Sequence, residues 1–184
     1  MLISACKSLT EYNNYILSIT YIYKMILCST KNESISLFSL AIKELQHHEK
    51  LQDLLICINS IIKSPKLFIS DSIPHRVQKL KINKMLEDTH GELFGFAFML
   101  CSKSTKENIL QIKLAGASLG ICSKINEDIN SIIEIYKKND LIDYFIHCID
   151  LFRKLSIKTG IHNDVLEEIY KSQVALFKQQ IKQY

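Results

Sequence analysis

Apolar residues recur at intervals of three and four along almost the whole chain, the spacing that lays one stripe along a helix. The pattern predicts a first helix, capped by Ser8 or Thr10, with Tyr15, Ile16, Ile19, Ile22, Tyr23, Ile26 and Leu27 on one face. Thr30-Lys31-Asn32-Glu33 has the Ser/Thr-x-x-Glu form of a capping box and opens a second, long helix. That helix is expected to reach about Lys63, with Leu37, Leu40, Ala41, Leu45, Leu51, Leu54, Leu55, Ile58 and Ile62 turned inward. Ser64-Pro65 ends it, because proline disfavours a helical residue before it and donates no backbone bond. Pro74 suits the first turn of a third helix, on which Val77, Leu80, Ile82, Met85 and Leu86 lead to a junction at Thr89-His90-Gly91. The segment Leu93 to Cys101 is apolar nearly all round, which implies burial on every side.

Ser104 or Thr105 caps the next predicted helix, striped by Ile109, Ile112, Ala115, Leu119, Ile125, Ile129, Ile132, Ile133 and Tyr136. After the polar break Lys137-Lys138-Asn139-Asp140, an amphipathic helix runs from Leu141 to Leu155 and closes near Thr159-Gly160. Asn163 or Asp164 caps the last helix, through Val165, Leu166, Ile169, Tyr170, Val174, Phe177 and Ile181. No alternating stretch competes, so the expectation is one all-α domain over residues 1–184, with six or seven helices and no repeat or linker.

Composition agrees with long helices: 5 Gly and 2 Pro leave few breaks in a chain that is 47% hydrophobic and 23% charged. The formal charge is +4, with Lys and Arg scattered among Asp and Glu, which is a solvated surface and not a nucleic-acid footprint. Lys79, Lys81 and Lys84 are the densest basic patch and read as a wet helix face. Cys6, Cys28, Cys57, Cys101, Cys122 and Cys148 lack zinc or C-x-x-C spacing and read as buried thiols in a reducing compartment. The longest apolar run, Tyr15 to Cys28, is interrupted by Lys24 and is too short for a membrane span. With no signal-like N-terminus, a cytoplasmic protein is expected.

Chemistry is concentrated in two places. Asn126-Glu127-Asp128-Ile129-Asn130-Ser131-Ile132-Ile133-Glu134 falls inside a predicted helix, where residues four apart share a face. Glu127 and Ser131, with Asp128 beside them, form one column; Asn126, Asn130 and Glu134 form another with three oxygen donors in line. A hard cation such as Mg²⁺ takes oxygen ligands of this kind, shared between carboxylates and a substrate phosphate; a solvated polar face has the same composition. Gly91, Gly95, Gly116 and Gly120 lie in helical context, each at a cost of about 1 kcal/mol relative to alanine. Either close helix packing or a ligand cavity offsets that cost. Among the histidines, His90 stands out because it sits at the glycine junction.

These segments resemble the polyprenyl synthetase family, the trans-isoprenyl diphosphate synthases, whose helices carry K-T-G/A-x-L-F and then L-G-x-x-F-Q-I-x-D-D-x-x-D. Gly91-Glu92-Leu93-Phe94 matches the first framework, and Leu119-Gly120 with Ile125 and Asp128 the second. Leu45-Gln46-His47-His48 falls where the family carries Gln-Gly-Gln, and the break before Leu141 and the helix around Ile169-Tyr170-Lys171 look most like the competence-pheromone, ComQ-like branch. The family lysine falls at Thr89, the Phe-Gln pair at Ser123-Lys124, and the three aspartates at Glu127, Asp128 and Ser131.

The resemblance implies an isoprenoid-synthase-like antiparallel helical bundle, N-terminally truncated because the first aspartate-rich motif would precede Met1. It implies Mg²⁺-assisted transfer of an isoprenyl group from an allylic isoprenyl diphosphate, with a small peptide pheromone as an acceptor. Glu127 and Asp128, supported by Asn130, Ser131, Asn126 and Glu134, are the expected metal residues; Lys84, His90 and Gln46 are those expected to meet substrate. The alternative expectation is a non-catalytic helical subunit or pseudoenzyme partner of a prenyl synthase, in a homo- or hetero-oligomer.

Overall fold

The structure, a computed structural model, describes residues 9–27, 31–46, 50–64, 74–100, 102 and 106–184. Every regular element among the described residues is helical. In chain order these are α1 (Leu9–Leu27), α2 (Lys31–Leu45), α3 (Leu51–Lys63), α4 (His75–Leu86), α5 (Glu92–Leu100), α6 (Lys106–Glu127), α7 (Ile129–Ile133), α8 (Lys138–Lys158) and α9 (Asp164–Ile181). A π-helical turn over Glu87–Gly91 joins α4 to α5. The expected caps Ser8, Thr30, Ser104 and Thr105 lie outside the described residues.

Two buried clusters make up the core. One gathers α1, α2, α3 and α5 through residues such as Ile22, Ala41, Leu45, Leu54, Ile58 and Phe96. The other gathers the end of α4 with α6, α7, α8 and α9 through Leu86, Cys122, Ile125, Phe145, Phe152 and Phe177. Phe94 packs against both clusters, and the contact of α5 with α6 is the most extensive between any two elements. Phe145 and Phe177 stack with ring centroids 3.9 Å apart, fastening α9 to α8.

Several boundaries follow from residues already noted. Ser64, the residue before Pro65, is extended (φ −58°, ψ 137°) and terminates α3 as a residue preceding proline should. Gly160 takes φ +70° after α8, with the Ile161 amide reaching back to the Ser156 carbonyl. The Asn163 side chain accepts from the Leu166 amide at 3.0 Å and caps α9. Pro74 is the residue before the first turn of α4 rather than within it.

Other expectations are corrected. The single helix to Lys63 is two helices, because its apolar positions serve different neighbours: α2 lies on α1, whereas α3 lies on α5 and the π-turn. The helix expected to reach Tyr136 stops at Glu127; Asp128 leaves helical geometry (φ −114°, ψ 24°) and a short α7 follows. Asn126, Asp128 and Asn130 are residues whose side chains compete with the backbone for hydrogen bonds, and they weaken the helix where the apolar stripe alone would continue it. The Thr89-His90-Gly91 junction is not a break: the Glu92 amide bonds the Glu87 carbonyl five residues back, and the helix runs on with one residue inserted. The expected inner faces were also too wide, since Ile16, Leu27, Leu40, Ile62, Val77, Leu80 and Val165 are exposed.

Close approach of α6 to the π-turn and α5 depends on glycine. A Cβ at Gly120 would sit well inside van der Waals distance of the His90 carbonyl oxygen and 2.9 Å from the Phe94 Cβ. One at Gly116 would stand 2.5 Å from the Phe94 carbonyl oxygen and 2.8 Å from the Phe98 side chain. The obstacles include backbone atoms, which cannot rotate aside. Gly120→Ala is therefore expected to lower stability by about 2–3 kcal/mol in urea unfolding, the upper part of the usual range for overpacking. Gly160→Ala, where no atom lies within 4 Å and only the left-handed backbone opposes a side chain, is expected to cost about 1 kcal/mol. Equal losses at the two positions would contradict this assignment.

Candidate functional site

Beside the α5–α6 contact lies a cleft of about 640 Å³, within the range of small-molecule sites. Its walls come from four helices and the π-turn: Ile19, Thr20 and Tyr23 of α1; His90; Leu93, Phe94, Ala97 and Phe98 of α5; Ser123, Asn126 and Glu127 of α6; and Gln173 and Leu176 of α9. The apolar and aromatic groups line one part of the cleft. His90, Asn126, Glu127 and Gln173 form a polar end.

Asp88 and His90 of the π-turn are both buried and meet different neighbours, Asp88 against Lys84 and Ser60 and His90 against Tyr23. His90 is 3% exposed. Its ring meets Tyr23 edge-on, with centroids 6.1 Å apart. Burial, with Lys124 adding to it against the opposing carboxylates Glu127 and Asp128, pushes the imidazole down to about 4, so it is neutral at pH 7. The Thr89 hydroxyl donates to the Met85 carbonyl at 2.6 Å, and its oxygen lies 3.3 Å from His90 Nδ1. His90 Nε2 is buried without a hydrogen-bond partner, 3.8 Å from Glu127 Oε2.

Glu127 and Asp128 are both held by Lys124, at 3.0 Å and 2.8 Å. Burial acts to raise the Glu127 carboxyl; the Lys124 hydrogen bond and charge, with His90 and the Tyr23 hydroxyl at 3.4 Å, outweigh it and leave the group below its usual range. Asn126 is buried, donating through Nδ2 to the Gln173 side chain at 2.7 Å and carbonyl at 3.1 Å, while its Oδ1 has no partner. The Gln180 side chain donates to the Asn126 carbonyl at 3.0 Å, so α9 is tied to the end of α6 by polar groups.

Of the residues expected to form the site, His90, Asn126 and Glu127 meet at the cleft, together with Phe94 of the quoted framework. Asp128 lies outside its walls. Asn130, Ser131 and Glu134 are exposed, and the Tyr184 hydroxyl donates to Asn130. The expected columns of residues four apart do not form, because Asp128 breaks the helix on which they were to stack. Lys84 is exposed and pairs with Asp88 at 2.7 Å, a hydrogen bond that raises its affinity for its proton. Gln46 is exposed and away from the cleft; His47 and His48 lie outside the described residues.

The donor set at the cleft does not match what Mg²⁺ takes: one carboxylate, already paired with a lysine, beside a neutral imidazole. Among the described residues no three His, Cys, Asp or Glu side chains converge as a metal site. Cys57, Cys122 and Cys148 are buried free thiols, and no described helix is long and apolar enough to cross a membrane.

Tyr23 and Gln173 are the cleft residues that the helical stripes concealed. Gln173 occupies an inward position between Leu166, Tyr170 and Phe177, and a polar residue there was the available signal. No protein-family model, curated protein or solved structure matches this chain.

The buried imidazole makes stability depend on pH. The unfolded chain takes up the His90 proton near pH 6.5 and the folded chain near 4, so the unfolded state binds more protons between those values. Its contribution is intact above pH 6.5 and is lost as pH falls toward 4, reaching about 3 kcal/mol. Urea unfolding of the wild type against His90→Gln between pH 7 and 4 is expected to show the wild type losing that much more; parallel curves would remove the assignment.

Proposed function

We propose that the chain is a helical ligand-binding protein, an isoprenoid-synthase-like bundle that keeps a pocket for an apolar chain without the metal set of a transferase. The observation that carries this reading is the cleft itself, with aromatic and aliphatic walls and a polar end whose buried His90 Nε2 and Asn126 Oδ1 lack partners. Unpaired buried polar atoms cost roughly 1–3 kcal/mol each, a cost that polar groups of a ligand would relieve once side chains moved to admit them. An isoprenoid of fifteen carbons has on the order of 10 kcal/mol of transfer free energy at about 0.8 kcal/mol per buried CH₂. After association costs this is compatible with micromolar binding, which needs about 8 kcal/mol.

Mg²⁺-assisted isoprenyl transfer, with a peptide acceptor or a catalytic partner subunit, is the second reading. It is favoured by the position of Glu127 and Phe94 on the cleft wall, and it requires Lys124 to give up its two carboxylates. Incubation with Mg²⁺ and labelled farnesyl diphosphate separates the two readings, since release of diphosphate supports transfer and binding without turnover supports the first.

Ala97 stands on the cleft wall and is half-buried, so a larger side chain there fills the cleft from within. Ala97→Phe is expected to weaken farnesol binding at least tenfold by isothermal titration calorimetry while changing the melting temperature by only a few degrees. Unchanged affinity would show that farnesol binds elsewhere.

A further inference from the structure

The neighbours of Gln173 fix the orientation of its side-chain amide. Asn126 Nδ2 lies 3.1 Å from the Gln173 main-chain carbonyl oxygen, which accepts hydrogen bonds and never donates them, so this end of the Asn126 amide is its NH₂ group. An NH₂ group only donates, and the Gln173 side-chain atom 2.7 Å from it is therefore Oε1. Gln173 Nε2, with two N–H donors, is left at the other end. Gln173 is half-buried, and Nε2 bonds no described group and is not among the enclosed polar atoms without a partner, so it is open at the surface. Gln173 lines both the cleft and a shallow groove along α9 with Val165 and Ile169, which sets its amide at the rim where the cleft opens outward.

The other polar groups on the wall narrow the choice of head. Ser123, one turn before Asn126 on α6, is half-buried and its hydroxyl bonds no described group, which makes it a second open donor. Thr20 and Tyr23 direct their protons elsewhere, to the Ile16 carbonyl at 2.8 Å and to Glu127 at 3.4 Å. With His90 neutral at pH 7, Glu127 is the one charged residue among the described residues of the wall, and Lys124 holds it at 3.0 Å. An anionic head would face that carboxylate with no cation on the wall to receive it. An ammonium would have to displace Lys124, and it offers Gln173 Nε2 no acceptor. An uncharged acceptor meets neither obstacle.

We propose that the cleft takes an apolar molecule ending in an uncharged carbonyl, whose oxygen accepts from Gln173 Nε2. The proposal rests on the reading of the cleft as a small-molecule site and adds the group that the ligand's head meets. A neutral hydrogen bond of this kind corresponds to roughly a three- to tenfold gain in affinity. Replacing its donor by a charged acceptor costs more, because two acceptors then face each other.

The test holds the body constant and changes the head. Methyl farnesoate, farnesoic acid and farnesylamine are titrated into the full chain at pH 7.5 by calorimetry, and the uncharged ester is expected to bind most tightly. Gln173→Glu keeps the length of the side chain and the acceptor for Asn126 while exchanging the open donor for an acceptor. In that variant the ester is expected to lose at least tenfold in affinity while the amine loses nothing. Gln173→Met, which has no polar atom, serves where Gln173→Glu fails to fold, and there the ester is expected to lose roughly three- to tenfold. If the three bind equally, or a charged head binds best, the carbonyl proposal is overturned and the small-molecule reading stands. Ester affinity unchanged in the Gln173 variants also overturns it. If none of the three binds, the small-molecule reading itself falls.

Discussion

The fold and its cleft depend on one backbone contact, the seating of the His90 carbonyl against Gly120. Only a residue without a Cβ lets α6 approach the π-turn this closely, and Gly116 repeats the arrangement one turn earlier under the Phe94 carbonyl. Those two positions set the distance between α6 and α5, and with it the distance between Glu127 and His90 across the polar end. Glycine in a helix weakens it by roughly 1 kcal/mol each. Here the loss is offset by close packing of α6 on α5, which joins the two halves of the core through Phe94. Packing and cavity, which the glycines left open as alternatives, are thus parts of one arrangement: the glycines provide the close approach, and the cleft lies beside it, where Ala97 is the small residue on its wall.

The π-turn is the second constraint. Asp88 and His90 lie on different sides of this turn, and both sides are covered by neighbouring helices. Asp88 is answered locally, by Lys84 and by Ser60 at 3.4 Å. His90 is answered only on its Nδ1 side. That asymmetry leaves His90 Nε2 among the buried polar atoms without a partner, and such an atom calls for either a functional ligand or a stored cost.

How much of this was legible in the sequence follows from what apolar spacing encodes. The all-helical class, the end of α3 before Pro65, the left-handed turn at Gly160 and the Asn163 cap are local, and each was carried by one or two residues with a definite steric or hydrogen-bonding preference. The break at Asp128 was hidden because Cys122, Ile125, Ile129, Ile132 and Tyr136 keep helical spacing across it, all buried in one core. The split of α2 from α3 was hidden likewise, since spacing records that a residue is buried and not which neighbour buries it. At the site, His90, Asn126 and Glu127 were found from their place beside glycines and in a carboxylate cluster. Tyr23 and Gln173 were not, because their contribution arises only when α1 and α9 fold over the cleft. The segments quoted for the resemblance include Leu93, Phe94, Ser123 and Glu127 of the cleft wall, whereas Asp128, Asn130, Ser131 and Glu134, expected with them, lie beyond or outside it because the chain bends at Asp128.

Lys124 decides what the polar end can do. It precedes Glu127 by three residues and Asp128 by four, the two spacings at which helical side chains meet, so one ammonium reaches both carboxylates from the last turn of α6. In that arrangement the charges that would hold a divalent ion are partly neutralised by an internal cation before any ligand arrives. A metal ion would have to displace the lysine and then accept a neutral imidazole and an amide in place of further carboxylates. Lys124 is only partly buried, so the strength of this pairing falls with added salt, whereas the unpaired Nε2 of His90 and Oδ1 of Asn126 are shielded from water and screen little.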